Sequence, residues 1–417
     1  MADVYLDFDL HIWTEGDVYR ARVRDSPAGT TPSVPLRLPF LSEETAEDLI
    51  QRLEDAIIDG RGNRAGPLSS QEKILRDFGS RVFCAVFRDN EQIASRFRSS
   101  MDIARSKERV AGLRLKLGVE PPELALLPWE YLFDESVFDP GTPQSYLCLR
   151  DLSPLVRFLE VNGPVKSSRI VGPLRILGMI SNPNIPGRKH LDIGAERLEL
   201  EEAVRKLEPK VHFEWLTSGT REHLCNAMQD GRWHVFHFIG HGGTDTEMED
   251  GNVRSRGYIF MEDRHCNPEK VDAEDLAYAL EGNGDLRLAV LNCCDSGRGS
   301  SFASPGAHLV RWGVPLVVAM QFAISNGSAS VFAKRFYRAL ISGHSVERAI
   351  TSARRDVRFE SRVEWGIPVL LTRTETSTSF EIDSTGEDSS APLVKKTARN
   401  AQARAELRQL LGVDDPA

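Results

Sequence analysis

The chain has 417 residues, more than one ordinary domain holds, and its 41% hydrophobic content is enough to bury a sizeable core. With 52 Lys and Arg against 61 Asp and Glu the net charge is −9, so the surface as a whole does not call for nucleic acid or an anionic membrane as a partner. The N-terminus lacks the layout of a signal peptide, and the longest apolar run, Val314 to Ile324, is interrupted and too short to span a bilayer. A cytoplasmic protein is expected, and six cysteines without a CxxC spacing fit a reducing compartment.

In chain order, Val4 to Ile12 alternates apolar and polar residues with period two, and Val18 to Val23 follows the turn Glu15-Gly-Asp, which predicts a hairpin. Ser42 is read as the start of a helix carrying Leu49, Ile50, Leu53 and Ile57 at helical spacing and ending at Gly60. A second helical region covers about Gln71 to Lys107, and strands are expected at Gly112 to Leu117 and Tyr146 to Leu159. The basic run Arg96, Arg98, Arg105, Lys107, Arg109, Arg114 and Lys116 has only Phe97 among it. A single-strand groove wants interleaved aromatics, so the run reads as a solvated face. Residues 1–160 carry no chemical constellation and read as an α+β module for recognition or regulation.

From Pro173 strands alternate with helices, as in a parallel sheet covered on both faces. Strands are expected at Leu174 to Ile180, Val211 to Leu216, Leu288 to Asn292, Val314 to Met320 and Ile367 to Leu371, with a short extra one at Gly257 to Glu262. Helices are expected at Glu196 to Leu207, Thr220 to Met228, Asp272 to Leu280, Ala307 to Trp312, Ala329 to Leu340 and Val346 to Val357. The polar stretch Thr244 to Arg256 reads as a mobile loop. Composition changes at Thr374, where a linker-like segment leads to a terminal helix at about Lys395 to Leu411.

Two apolar runs end in reactive residues. His234-Val-Phe-His-Phe-Ile-Gly-His241-Gly-Gly and Leu288-Ala-Val-Leu-Asn-Cys-Cys294-Asp-Ser-Gly297 read as buried parallel strands with His241 and Cys294 at their carboxyl ends. Open α/β sheets place their binding crevices there. A thiol beside an imidazole suffices for nucleophilic acyl transfer, because the base can leave a thiolate. His234, His237 and His241 make a poor metal site, since His234 and His237 point to opposite faces of a strand. Gly240, Gly242 and Gly243 could cradle a phosphate in a nucleotide-binding regulatory module, yet no GxxxxGK[ST] or GxGxxG stands between a strand and a helix.

The spacing, 294 − 241 = 53 residues, is close to the roughly 50 of caspases. Here the chain resembles the CHAT domain, the bacterial caspase-like and separase-like cysteine peptidases of the CD clan. The family motifs read HFxGHG and VLNAC-x-SG; His237-Phe-Ile-Gly-His241-Gly and Val290-Leu-Asn-Cys-Cys294-Asp-Ser-Gly297 match them, with Cys293 in place of a small residue. The likeness extends over about Pro173 to Arg373, and Leu126-Leu-Pro-Trp-Glu-Tyr-Leu-Phe is similar to the LPWE segment that often precedes these domains.

The resemblance implies a caspase-like, doubly wound, mostly parallel sheet flanked by helices over residues 170–373, beside the N-terminal module and a 374–417 tail. It implies a cysteine endopeptidase with Cys294 as nucleophile, His241 as base and then acid, and the backbone N–H groups of Gly242 and Cys294 as oxyanion donors. Substrate contacts would come from Asn292, Asp295 and Gln321. Asn292 stands where relatives that cut after Arg or Lys carry an acid, and Gln321 opens a loop that walls the cleft. No cofactor or metal is implied. The partners implied are a protein substrate, such as a gasdermin-like effector or another protease in bacterial defence or cell death, and an activating partner or ligand. The alternative is a catalytically idle caspase-like scaffold.

Overall fold

The computed structural model describes residues 3–62, 67–136, 145–161, 169–187, 191, 193–205, 210–249, 252–293, 304–374 and 381–383. The first half holds the hairpin strands β1 (Tyr5–Glu15) and β2 (Val18–Asp25), a short β3 (Val34–Pro35), and helices α1 (Ala46–Asp59), α2 (Ser70–Phe83) and α3 (Glu91–Ser106). It continues with β4 (Gly112–Val119), the single turn α4 (Pro122–Ala125) and β5 (Leu155–Phe158). Helix α1 starts at Ala46 and not at Ser42. Thr45 accepts the Asp48 N–H and caps it, while Pro39–Ser42 forms a separate 3-10 turn. The strand expected over Tyr146 to Leu159 shrinks to β5. Ser153 donates its hydroxyl to Leu147 O, curling the segment, and Pro154 has no N–H to give a ladder.

The second half holds β6 (Arg169–Val171), β7 (Leu174–Ser181), α5 (Ile193–Arg205), β8 (Val211–Trp215), α6 (Arg221–Asp230) and β9 (Val235–Gly240). Then come β10 (Gly242–Glu249), β11 (Asn252–Glu262), β12 (Pro268–Asp272), α7 (Ala273–Glu281) and β13 (Leu288–Asn292). The last elements are α8 (Pro305–Trp312), β14 (Leu316–Met320), α9 (Asn326–Ile341), α10 (Val346–Glu360), β15 (Pro368–Thr372) and β16 (Glu381–Asp383).

One eleven-stranded sheet carries the molecule in the order β3-β2-β1-β4-β5-β15-β14-β13-β9-β7-β8. Its pairs are parallel except β1 with β2, β2 with β3, and β14 with β15. The segment β8-β7-β9-β13-β14 has the order 2-1-3-4-5 of doubly wound folds, whose crevice opens where the order reverses, here between β7 and β9. The mixed α/β architecture with a large, mostly parallel sheet flanked by helices is the one expected.

The sheet and the larger core both cross the boundary expected near residue 160. Strand β5 lies between β4 and β15, and Phe8, Leu115 and Trp129 share a core with Val290, Phe336 and Trp365. A second core sits on the opposite face of the sheet, where Phe236, Phe238 and Leu291 pack with Leu276 and Leu309 of α7 and α8.

Three expectations are corrected here. Arg114 and Lys116 are not on a solvated face: they lie on β4, buried, with Arg114 paired to Asp7 and Glu347 and Lys116 to Asp9. The stretch Thr244 to Arg256 is not a loop. Its described residues belong to β10 and β11, antiparallel partners with Asp245 opposite Arg256, because a ladder with opposite charges in register can order a polar run. Within the tail, Glu381–Asp383 forms β16, which pairs in parallel with β6. The helix expected at 395–411 lies outside the described residues.

Candidate active site

The site is built where β7, β9, β13 and β14 end together. In the parallel ladders Ile239 of β9 faces Asn292 of β13 on one side and Ile180 of β7 on the other, and Gly240 faces Ser181. Leu291 of β13 in turn faces Ala319 of β14. His241, Asn292 and Gln321 therefore leave the sheet along one edge, beside the point where the strand order reverses.

His241 is buried, and its backbone is fixed: Phe260 of β11 donates its N–H to His241 O at 2.9 Å. The chain crosses at this residue from the main sheet into the small antiparallel sheet β10-β11-β12, with Gly242 as the first residue of β10. Gly240 is required by close approach, since a Cβ there would lie 2.6 Å from Ser181 O and 2.6 Å from the Phe238 ring.

Asn292 is the last residue of β13, and Cys293 follows it. Cys293 is buried in the second core with Ala289, Leu291 and Phe238, whereas Leu288 and Val290 face the larger core. Strand alternation thus gives Cys293 the packing of a small hydrophobe. Cys294 and Asp295, the next two residues, lie outside the described residues.

The other histidines of the motif have separate surroundings. His237 is fully enclosed, its Nδ1 2.7 Å from the Tyr337 hydroxyl on α9, and burial holds its imidazole down at about 3, so it stays neutral at pH 7. His234 accepts the Arg175 N–H on β7 through Nδ1 at 3.1 Å. Among the described residues no cluster of His, Cys, Asp or Glu could hold a metal ion, and no helix is long and apolar enough to cross a membrane.

Gln321 follows β14 and is 1% exposed. Its Nε2 donates to Glu130 Oε2 at 3.0 Å and to Gly366 O at 2.7 Å, and its Oε1 accepts from Arg157 Nη2 at 3.0 Å. Both amide donors are spent inside the protein, so the side chain expected to touch substrate faces inward. Sequence reasoning missed Glu130 and Arg157 as part of this edge. The only hint was a glutamate amid the apolar residues of Leu126-Leu-Pro-Trp-Glu-Tyr-Leu-Phe.

Solved structures with similar folds include the Saccharomyces cerevisiae separase–securin complex, at 13% identity and a TM-score of 0.38 over 81% of this chain; the chain spans 23% of that separase. They also include Porphyromonas gingivalis RgpB in the complex of its pro- and mature domains, at 8% identity and a TM-score of 0.41, covering 80% of this chain and 77% of that one. A third is the Drosophila initiator caspase Dronc, at 11% identity and a TM-score of 0.29, covering 55% of this chain and 96% of that one. No curated protein matches the sequence. The model of the CHAT domain matches residues 101–399, well over half of the chain, and the protein therefore belongs to the CHAT domain family.

Proposed function

We propose that this protein is a cysteine endopeptidase acting through Cys294 and His241. The observation that carries the reading is the parallel pairing of β9 with β13, Ile239 opposite Asn292, which sets the strand that leads into His241 beside the strand that leads into Cys293 and Cys294. Membership of the CHAT domain family and the intact pair of motifs agree with it.

In the proposed reaction His241 takes the proton of the Cys294 thiol, and the thiolate attacks the scissile carbonyl carbon to form a C–S bond. The oxyanion is met by the backbone N–H groups of Gly242 and Cys294. Collapse breaks the C–N bond as the imidazolium protonates the leaving amine. Water, activated by the same imidazole, then cleaves the thioester and restores the thiol.

The substrate is a protein, in the class of a gasdermin-like effector or another protease, and the setting is cytoplasmic bacterial defence or cell-death signalling. The isolated chain is latent, because an unregulated endopeptidase would damage its own cell. A trigger must bind the competent form more tightly than the idle one. The test is to assay the purified chain on candidate proteins with and without the products of neighbouring genes, alongside Cys294→Ala. Cleavage that needs both the partner and Cys294 is expected; cleavage retained in Cys294→Ala would overturn the assignment.

A further inference from the structure

We infer that Gln321 is a positioning residue for the substrate cleft, and that Glu130 and Arg157, contributed by the first half of the chain, hold it in place. The inference rests on the endopeptidase reading above and adds to it residues that build the cleft wall.

Glu130 is fully buried, in the middle of Pro-Trp-Glu-Tyr, where an ionised carboxylate persists only if its partners replace water. Arg157 of β5 supplies two of them, Nε to Oε1 at 3.1 Å and Nη2 to Oε2 at 2.6 Å, and Gln321 supplies the third. The same guanidinium donates to Ala125 O at 2.7 Å and Leu127 O at 3.1 Å, so its fork is engaged on both sides. With Gly366 O completing the amide of Gln321, the network is satisfied throughout, and such a network imposes one geometry.

That geometry falls on the loop Gln321–Ser325, which leaves β14 at the edge shared with Asn292 and His241. The far end of the loop is clamped as well. Glu364, also buried, accepts the Ser325 N–H and hydroxyl, both at 2.8 Å, and Arg61 joins Glu364 to Ala323 O. Phe322 is buried between the clamps, Ala323, Ile324 and Ser325 are half-buried, and with the Ser325 hydroxyl held by Glu364 it is Ala323 and Ile324 that have surface left to offer a substrate. Two buried carboxylates at the ends of five residues are costly unless the position of those residues matters, and their place beside the catalytic edge says to what.

The experiment uses the full chain with a peptidyl acyloxymethyl ketone that alkylates the nucleophilic thiol, measuring KI and kinact, together with hydrogen exchange of residues 321–325. Gln321→Met keeps the Glu130–Arg157 pair and cuts its link to the loop; Glu130→Gln is the second variant. Gln321→Met is expected to raise KI about tenfold with kinact within about twofold, the pattern of lost ground-state binding, and to speed exchange of the loop while the strands stay protected. Labelling of the wild type with unchanged KI and unchanged loop exchange in both variants would overturn this inference and leave the endopeptidase reading standing. A wild type in which Cys294 is never alkylated, with or without partners, overturns that reading and the cleft role with it; loop exchange then still tells whether the clamp holds.

Discussion

Arg114 of β4 and Glu347 of α10 form an ion pair inside the protein, Nη1 to Oε1 at 2.9 Å, with 0% and 3% of their side chains exposed. Asp7 of β1 takes the other side of the guanidinium through two bonds of 2.6 and 2.8 Å. Three elements separated by up to 340 positions are tied at one cation, across the boundary where the sequence read as two units.

Glu347→Ala leaves Arg114 with its inner partner gone and no route to water, and should cost about 3–5 kcal/mol. The double variant Arg114→Met, Glu347→Leu should recover most of that loss, since Asp7 is nearer solvent and can rehydrate. Urea denaturation of the two variants checks this, and a loss below about 1 kcal/mol for Glu347→Ala would mean that the pair is not isolated from solvent.

Deleting residues 1–160 removes β1 to β5 and strips one edge of β15, together with much of the larger core. The remaining fragment should be insoluble or unfolded, because it exposes a hydrophobic strand edge and half of a core. A soluble 161–417 fragment with a cooperative thermal transition would refute the shared-core account.

The neutral, buried His237 makes stability depend on acid. Its folded pKa of about 3 lies below the ordinary 6.5, so between those values the unfolded chain binds a proton that the native state refuses. Stability contributed by this group is complete above pH 6.5 and falls as pH is lowered toward 3, by about 1.4 kcal/mol per unit. His237→Asn should flatten that slope whatever its effect at neutral pH; equal slopes in wild type and variant between pH 4 and 6 would show that the titration lies elsewhere.

Cys293 packs with Leu291 in the second core, so Cys293→Ala should keep most peptidase activity and lose only about 1 kcal/mol of stability. Cys294→Ala should abolish both cleavage and alkylation by the peptidyl electrophile. Mass spectrometry of the labelled peptide decides between the two thiols, and a label on Cys293 would reverse the assignment.

Asn292 is buried at the end of β13 and carries no charge, so it cannot neutralise a guanidinium or ammonium drawn from water. A preference for Arg or Lys at the cleavage site, if the enzyme has one, should survive Asn292→Ala. Peptide-library profiling of both proteins tests this; a strict basic preference that disappears with the substitution would place Asn292 in the specificity pocket.

Most of the elements and their order were legible along the chain. Period-two alternation marked the β1–β2 hairpin, helical spacing marked α1 and α5, and short Val- and Phe-rich runs closed by Gly marked β9 and β13, because local sterics and one-sided burial write a period into the chain. The end of β9 at Gly240, with His241 next, was legible for the same reason.

What those elements meet emerges only once the chain is folded. Arg114 and Lys116 read as surface charges because a period does not reveal that Asp7, Asp9 and Glu347 will arrive to pair them. Of the hairpin β10–β11 only the short strand at Gly257 to Glu262 was legible, because the polar stretch before it carries no apolar period and is ordered by ladder pairing. Gln321 read as a substrate contact until Glu130 and Arg157, 191 and 164 positions away, took up its amide. Each case turns on a contact between distant residues, whose energy is set by desolvation and geometry in the folded state and leaves no local pattern along the chain.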